Sequence, residues 1–132
     1  MQCQKALEEA GGDKNKAIEL LKKKGSEIAA KKSDRELKAG VVASYVHAGD
    51  RVGVMVELLC ETDFVSKNPE FRSVAREIGM HIAAMNPGSW EELLEQPFIK
   101  DPGLKVGDII NNTVQKFGER TELGRFVRFS LD

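Results

Sequence analysis

Three side chains in the sequence have the chemistry of a nucleophile or a base: Cys60, His47 and His81. A thiol or hydrolytic enzyme needs its nucleophile within hydrogen-bond reach of a base that a third group orients. His47 and Cys60 are predicted at opposite ends of one hairpin, about 25 Å apart at about 3.4 Å per residue. His81 lies on the next predicted helix and can approach Cys60, but nothing supplies the third group. The sequence therefore predicts an inert Cys60 and no catalytic site.

Metal and phosphate sites are not predicted either. The two histidines lie 34 positions apart, without clustered carboxylates or thiolates at ligand spacing. Gly11-Gly12 lacks the lysine and hydroxyl pattern of a phosphate-binding loop, and no G-x-G-x-x-G occurs. We expect no cofactor, no metal and no enzymatic activity, with a catalytic thiol at Cys60 as a remote alternative.

The most distinctive segment is Cys60-Glu61-Thr62-Asp63-Phe64-Val65, which presents two acidic and then two apolar side chains between a predicted strand and a predicted helix. In one interpretation Phe64 and Val65 fold inward and close the core, and Asp63 caps locally. In the other, Phe64 projects and wedges into a partner protein while Asp63 makes a polar contact. A buried Phe covers about 150–250 Å², enough for one aromatic anchor to dominate an interface. The residues alone leave both interpretations open.

Alternating apolar residues predict the strands that position this segment. Residues 41–46 and 52–58 alternate with period two around Ala48-Gly49-Asp50, which is typical of a β-hairpin. The same alternation predicts a third strand over 125–131. Between them, Asn68 and Pro69 favour the start of a helix, whose apolar residues recur at helical spacing: Phe71, Val74, Ala75, Ile78, Ile82 and Met85.

A further helix is predicted from Val106 to near Gly118, because its apolar residues share one side. Residues 90–104 contain two prolines and are predicted to be irregular. Two helices on one face of a three-stranded antiparallel sheet define an α+β domain, predicted over 41–132.

Two shorter units are predicted before this domain. Two short helices around Gly11-Gly12 make a helical module over 1–25. Residues 26–40 are rich in Lys, Ala and Glu, which favours a solvated helical linker over a binding patch.

Composition and patterning indicate the kinds of partner and the cellular compartment to expect. The 132 residues include 20 Lys and Arg against 21 Asp and Glu, a net charge of −1 that argues against broad nucleic-acid binding. The longest apolar run is too short to cross a membrane. Cys3 and Cys60 have no disulfide or C-x-x-C spacing, and the chain starts without a signal-peptide pattern. We expect a cytoplasmic protein, or one of an organellar matrix, that binds neither nucleic acid nor membrane directly.

The sequence resembles the elongation factor Ts family over nearly its whole length. The segments that carry the resemblance occur in family order, and the Thr-Asp-Phe-Val loop after a strand is the most specific of them: residues 5–13, Arg51–Glu57, Cys60–Val65, Met80–Ala84, Glu95–Asp101 and Arg125–Phe129. Two departures stand out. The helical module over 1–25 lacks a first helix, so it is a partial ubiquitin-associated-like module. The middle segment is shortened between Pro87 and Leu93.

The resemblance implies a guanine-nucleotide exchange factor that binds elongation factor Tu, both GDP-bound and nucleotide-free. Asp63 and Phe64 would enter its G domain and disturb the magnesium and phosphate site so that GDP leaves, while Thr62 and Val65 shape the loop. His81 resembles a contact position, although a surface histidine explains it equally well. Some short-form relatives pair through their sheets, and the strand over 125–131 could support such a homodimer, although a half-buried core strand would show the same pattern. An interaction or dimerisation module without full exchange activity is the alternative function.

Overall fold

The computed structural model describes residues 35–131, which form five strands and four helices. In chain order these are β1 (Ala39–Val46), β2 (Val52–Cys60), α1 (Asp63–Ser66), α2 (Pro69–Met85), α3 (Trp90–Glu95), β3 (Pro97–Phe98), β4 (Asp101–Lys105), α4 (Val106–Phe117) and β5 (Glu122–Ser130). The predicted helical module over 1–25 and most of the predicted linker lie outside the described residues. None of the helices within 35–131 has the length and apolar character needed to cross a bilayer.

The main sheet is antiparallel with the strand order β1–β2–β5, which confirms the predicted α+β fold. β1 and β2 form the predicted hairpin, and its turn places Gly49 (φ 95°) and Asp50 (φ 59°) in the left-handed region. That conformation favours glycine and is tolerated by aspartate. β3 and β4 pair separately as a small two-stranded sheet.

The period-two alternation of β2 divides the main sheet into two different faces. Val54, Val56, Leu58 and Cys60 point to the inner face and are buried. The opposite, outer face carries an exposed apolar set from all three strands: Val42, Val46, Met55, Val127 and Phe129. The sheet therefore has one face in the core and one face that no described element covers.

Helix α2 packs on the inner face and supplies much of the core. Its start is capped as predicted, because Asn68 Oδ1 accepts a hydrogen bond from Glu70 N at 2.8 Å and Pro69 occupies the first helical position. Its sheet-facing side chains are fully buried: Phe71, Ala75, Ile78 and Ile82. Burial of each large apolar side chain contributes about 1.5–3 kcal/mol. Helix α2 is thus held firmly against β2, and the 61–65 segment connects the two.

Three predictions about secondary structure were wrong. Residues 90–104 are not irregular but contain α3, β3 and most of β4. β5 starts at Glu122, three residues before the predicted strand, because Leu123 pairs with Leu58 on the inner face beyond a bulge. Residues 35–38 form no helix and β1 begins at Ala39, so the described end of the predicted 26–40 helical linker is not helical.

Candidate functional site: the loop between β2 and α2

The segment from Glu61 to Ser66 leaves the end of β2 and immediately forms the single helical turn α1. Thr62 is its N-cap: the backbone is extended (φ −132°, ψ 154°) and Oγ1 accepts a hydrogen bond from Val65 N at 3.4 Å. Ser66 Oγ donates to the Asp63 carbonyl at 3.1 Å, and Lys67 N donates to the same oxygen at 3.0 Å. The interpretation in which Asp63 caps locally was therefore wrong, because Thr62 supplies the cap and the Asp63 side chain is exposed.

The two apolar side chains of the loop point in opposite directions. Val65 is 6% exposed and belongs to the core, whereas Phe64 is 90% exposed. Consecutive helical residues differ by about 100° around the axis, so one side of a single turn can be buried and the next residue project. The interpretation in which both side chains fold inward is right for Val65 and wrong for Phe64.

The carboxylate of Glu119 holds the backbone at the start of this loop. Its Oε1 accepts hydrogen bonds from Glu61 N at 3.1 Å and Thr62 N at 3.0 Å, and its Oε2 accepts one from Thr62 Oγ1 at 2.7 Å. In return, Glu61 accepts a hydrogen bond from Arg120 N and lies 3.6 Å from the Arg35 guanidinium. Sequence reasoning missed Glu119 and Arg120. Their loop contacts span 57 and 59 positions, which no local pattern reports.

Cys60 does not form a catalytic pair with either histidine. The Cys60 thiol donates to the Thr62 carbonyl at 3.3 Å, and burial, together with the nearby Glu119 carboxylate, raises the pKa of the thiol to about 11. His47 follows Val46, which pairs with Gly53, while Cys60 pairs with Ala39 at the other end of the hairpin. A thiol with this pKa remains protonated near neutral pH and is a poor nucleophile.

His81 is fully buried, so the interpretation of a surface histidine was wrong. Its Nε2 lies 2.9 Å from Gln96 Oε1, and its Nδ1 accepts a hydrogen bond from Ile99 N at 3.2 Å. The ring also stacks on Phe98, with centroids 5.7 Å apart. Burial lowers the pKa of His81, partly offset by the Gln96 hydrogen bond. His81 follows Pro69 by twelve helical residues, about 18 Å at 1.5 Å per residue, so the structure does not bring it to the loop.

The site therefore contains an exposed aromatic side chain and an exposed carboxylate on a hydrogen-bonded loop. Within residues 35–131, no three His, Cys, Asp or Glu side chains cluster as metal ligands would. Aromatic side chains that project from a fixed backbone are typical anchors of protein–protein interfaces. An ordered loop with an exposed aromatic side chain is typical of a protein-binding surface.

Comparison with known proteins identifies the family. The family model described as elongation factor Ts matches residues 4–92 and 61–132. Proteins named elongation factor Ts from Thermodesulfovibrio yellowstonii, Carboxydothermus hydrogenoformans and Rubrobacter xylanophilus are 42%, 41% and 39% identical to this chain. Each alignment covers 99% of the chain and 87%, 81% and 90% of the relative, respectively. The chain therefore belongs to the elongation factor Ts family and has the role of a translation elongation factor.

The same alignments show that these relatives are longer internally. The alignment with the Thermodesulfovibrio protein runs over 175 positions, against 132 residues in this chain. At least 43 positions of that relative thus have no counterpart here. This difference in length agrees with the shortened middle segment that the family resemblance implies between Pro87 and Leu93.

Proposed function

We propose that the chain is a guanine-nucleotide exchange factor that binds elongation factor Tu, GDP-bound and nucleotide-free, and promotes GDP release. In this proposal the loop with Asp63 and Phe64 enters the G domain near the magnesium and phosphate site. Thr62 caps the loop and Val65 anchors it in the core. This work would take place where the ribosomes are, in the cytoplasm or an organellar matrix.

The single observation that carries the proposal is the exposure of Phe64. A side chain that is 90% exposed contributes little to the fold, yet its backbone is fixed by the Thr62 cap and the buried Val65. An anchor with an ordered backbone loses less conformational entropy on binding than one on a free loop. Phe64 is thus suited to act on a partner.

Nucleotide exchange does not require this chain to make or break a covalent bond. If the factor weakens GDP binding to elongation factor Tu by a given ratio, GDP weakens binding of the factor by the same ratio. The proposed role makes no use of the Cys60 thiol, whose pKa is raised by burial to about 11. We assign the buried His81 an indirect role, in which it joins α2 to the β3–β4 hairpin through Gln96 and Ile99.

The direct test follows release of fluorescent GDP from elongation factor Tu. Wild-type protein should accelerate release, and Phe64→Ala should abolish most of that acceleration while remaining folded. Phe129→Ala is the matched control, because Phe129 is also exposed and lies on the outer face of the sheet. It pairs with Gly53, seven strand residues or about 24 Å from Cys60. A folded wild-type protein that leaves the release rate unchanged contradicts the proposal.

The second candidate is an interaction or dimerisation module without full exchange activity, and the outer face of the sheet favours it. Val46, Met55 and Phe129 are 61%, 53% and 73% exposed. The charged pair on this face, Glu57 and Arg125, is already satisfied by two side-chain hydrogen bonds of 3.0 Å. A second copy of the chain could therefore cover the apolar residues without burying an unpaired charge.

Sedimentation equilibrium tests this homodimer. Wild-type protein should sediment as a dimer and Phe129→Lys as a monomer, because a lysine there would have to be buried without a partner. A monomeric wild-type protein at tens of micromolar contradicts the dimer. A dimer that leaves GDP release unchanged supports the second candidate over the first.

A further inference from the structure

We infer that Glu119 is a positioning residue for nucleotide exchange, since its carboxylate fixes the backbone from which Phe64 is presented. This inference rests on the proposed function and deepens it. Glu119 lies outside the 61–65 loop, at the turn between α4 and β5, and acts through the backbone of Glu61 and Thr62.

The geometry is that of a carboxylate bound by three donors. Glu61 N and Thr62 N converge on Oε1 at 3.1 and 3.0 Å, and the Thr62 hydroxyl donates to Oε2 at 2.7 Å. Hydrogen bonds to an ionised acceptor are shorter and stronger than neutral ones. The Thr62 hydroxyl then has its lone pairs free for Val65 N, so Glu119 also orients the cap of α1.

The turn that carries Glu119 is itself held in place. Gly118 ends α4 in the left-handed conformation (φ 72°), and its N–H donates to the Val114 carbonyl at 2.9 Å. A residue with a Cβ is strained at this φ, so glycine is the suitable residue there. Just after Glu119, Arg120 N donates to the Glu61 carboxylate. The loop and the turn therefore hold each other by reciprocal backbone–carboxylate hydrogen bonds.

Glu122 provides a nearby comparison with the same charge. Its Oε1 accepts hydrogen bonds from the Arg120 guanidinium at 2.8 and 3.2 Å, and none of the loop hydrogen bonds reaches it. A general effect of negative charge at this end of the sheet would involve both carboxylates. A positioning effect involves, of these two carboxylates, only that of Glu119.

The experiment compares Glu119→Ala, Glu119→Gln and the control Glu122→Ala in the fluorescent GDP-release assay at saturating factor. Glu119→Ala should lower the plateau rate about tenfold, the scale expected when charged hydrogen bonds to the backbone are lost. Glu119→Gln keeps one oxygen for the two N–H groups and should recover part of the rate. Glu122→Ala should retain the wild-type plateau.

A double-mutant cycle separates positioning from direct contact. If Glu119 acts through Phe64, adding Glu119→Ala to Phe64→Ala should lower the plateau no further. The inference is overturned if the double variant lowers the plateau rate by the product of the two single-variant factors. It is also overturned if Glu119→Ala and Glu122→Ala lower the plateau rate equally. Urea unfolding of each variant checks that the comparison is made on folded protein.

Amide hydrogen exchange tests the inference independently of the proposed function. In Glu119→Ala the amides of Glu61 and Thr62 should lose protection, while those of β2 keep theirs. If wild-type protein releases no GDP, the proposed function fails, and this loss of protection still supports the positioning of the loop by Glu119. Unchanged protection of both amides overturns it.

Discussion

Truncation of two neighbouring residues, Phe64→Ala and Val65→Ala, should separate function from stability. Val65 is 6% exposed, so its truncation removes two buried methyl groups and should destabilise the fold by about 2 kcal/mol, at about 0.8 kcal/mol per buried carbon plus a small cavity term. Phe64 is 90% exposed, so its truncation should change the free energy of unfolding by less than about 0.5 kcal/mol.

The effect on partner binding should be the reverse for Phe64. Nearly all of the side chain's area, about 150–250 Å², is left for a partner, which corresponds to about 4–6 kcal/mol of gross apolar burial. Interface anchors lose about 2–4 kcal/mol net when truncated, so Phe64→Ala should weaken binding to nucleotide-free elongation factor Tu at least about 30-fold.

Urea unfolding measures the free energy of unfolding by linear extrapolation. Titration of labelled, nucleotide-free elongation factor Tu measures the binding affinity. Phe129→Ala serves as the control for an exposed Phe elsewhere. The reasoning is refuted if Phe64→Ala destabilises the fold by more than about 1 kcal/mol, or if it leaves the affinity for elongation factor Tu unchanged.

Three further predictions concern titratable groups. Hydrogen bonds from Arg125 lower the pKa of Glu57 from 4.5 to about 2, so the stability advantage of wild-type protein over Glu57→Gln should be constant above pH 4.5 and vanish as pH falls toward 2. Burial lowers the pKa of His81 from 6.5, so unfolded protein takes up a proton that folded protein resists. Stability relative to His81→Gln should therefore be full above pH 6.5 and fall below it, as measured by urea midpoints. Burial raises the pKa of Cys60 to about 11, so alkylation of Cys60 at pH 8 should be far slower in folded than in urea-unfolded protein. Rapid labelling of Cys60 itself in folded protein would revive the hypothesis of a catalytic thiol.

Much of the fold was predictable because its signals are local. The alternation of β1 and β2 around Gly49-Asp50, and the Asn68-Pro69 start of α2, each depend on residues within a few positions of one another. The outer face of the sheet also follows from the period of two. These features need no knowledge of the rest of the chain.

Helix α3 was missed although a local signal was present. Ser89 Oγ accepts a hydrogen bond from Glu92 N at 3.1 Å, and Glu92 Oε2 accepts one from Gly88 N at 2.8 Å. This resembles a capping box, whose Ser-x-x-Glu spacing can be found in sequence. The prolines that follow drew the prediction toward irregular structure, yet Pro97 lies in a short strand paired with Lys105.

The remaining features depend on contacts between distant segments. The direction of Phe64 depends on which side of the single helical turn enters the core, and Val65 occupies the core here. The burial of His81 results from the β3–β4 hairpin that covers it, fifteen or more positions away. The hydrogen bonds of Glu119 likewise join the turn between α4 and β5 to the loop after β2, 57 positions away in the sequence.

The most direct test of the central claim is the dependence of the GDP dissociation rate from elongation factor Tu on the concentration of this protein. Wild-type protein should raise the rate to a plateau, and Phe64→Ala should lower the plateau itself even at concentrations that saturate binding. A plateau for Phe64→Ala equal to that of wild-type protein would contradict the account, because the exposed ring would then add affinity without promoting exchange.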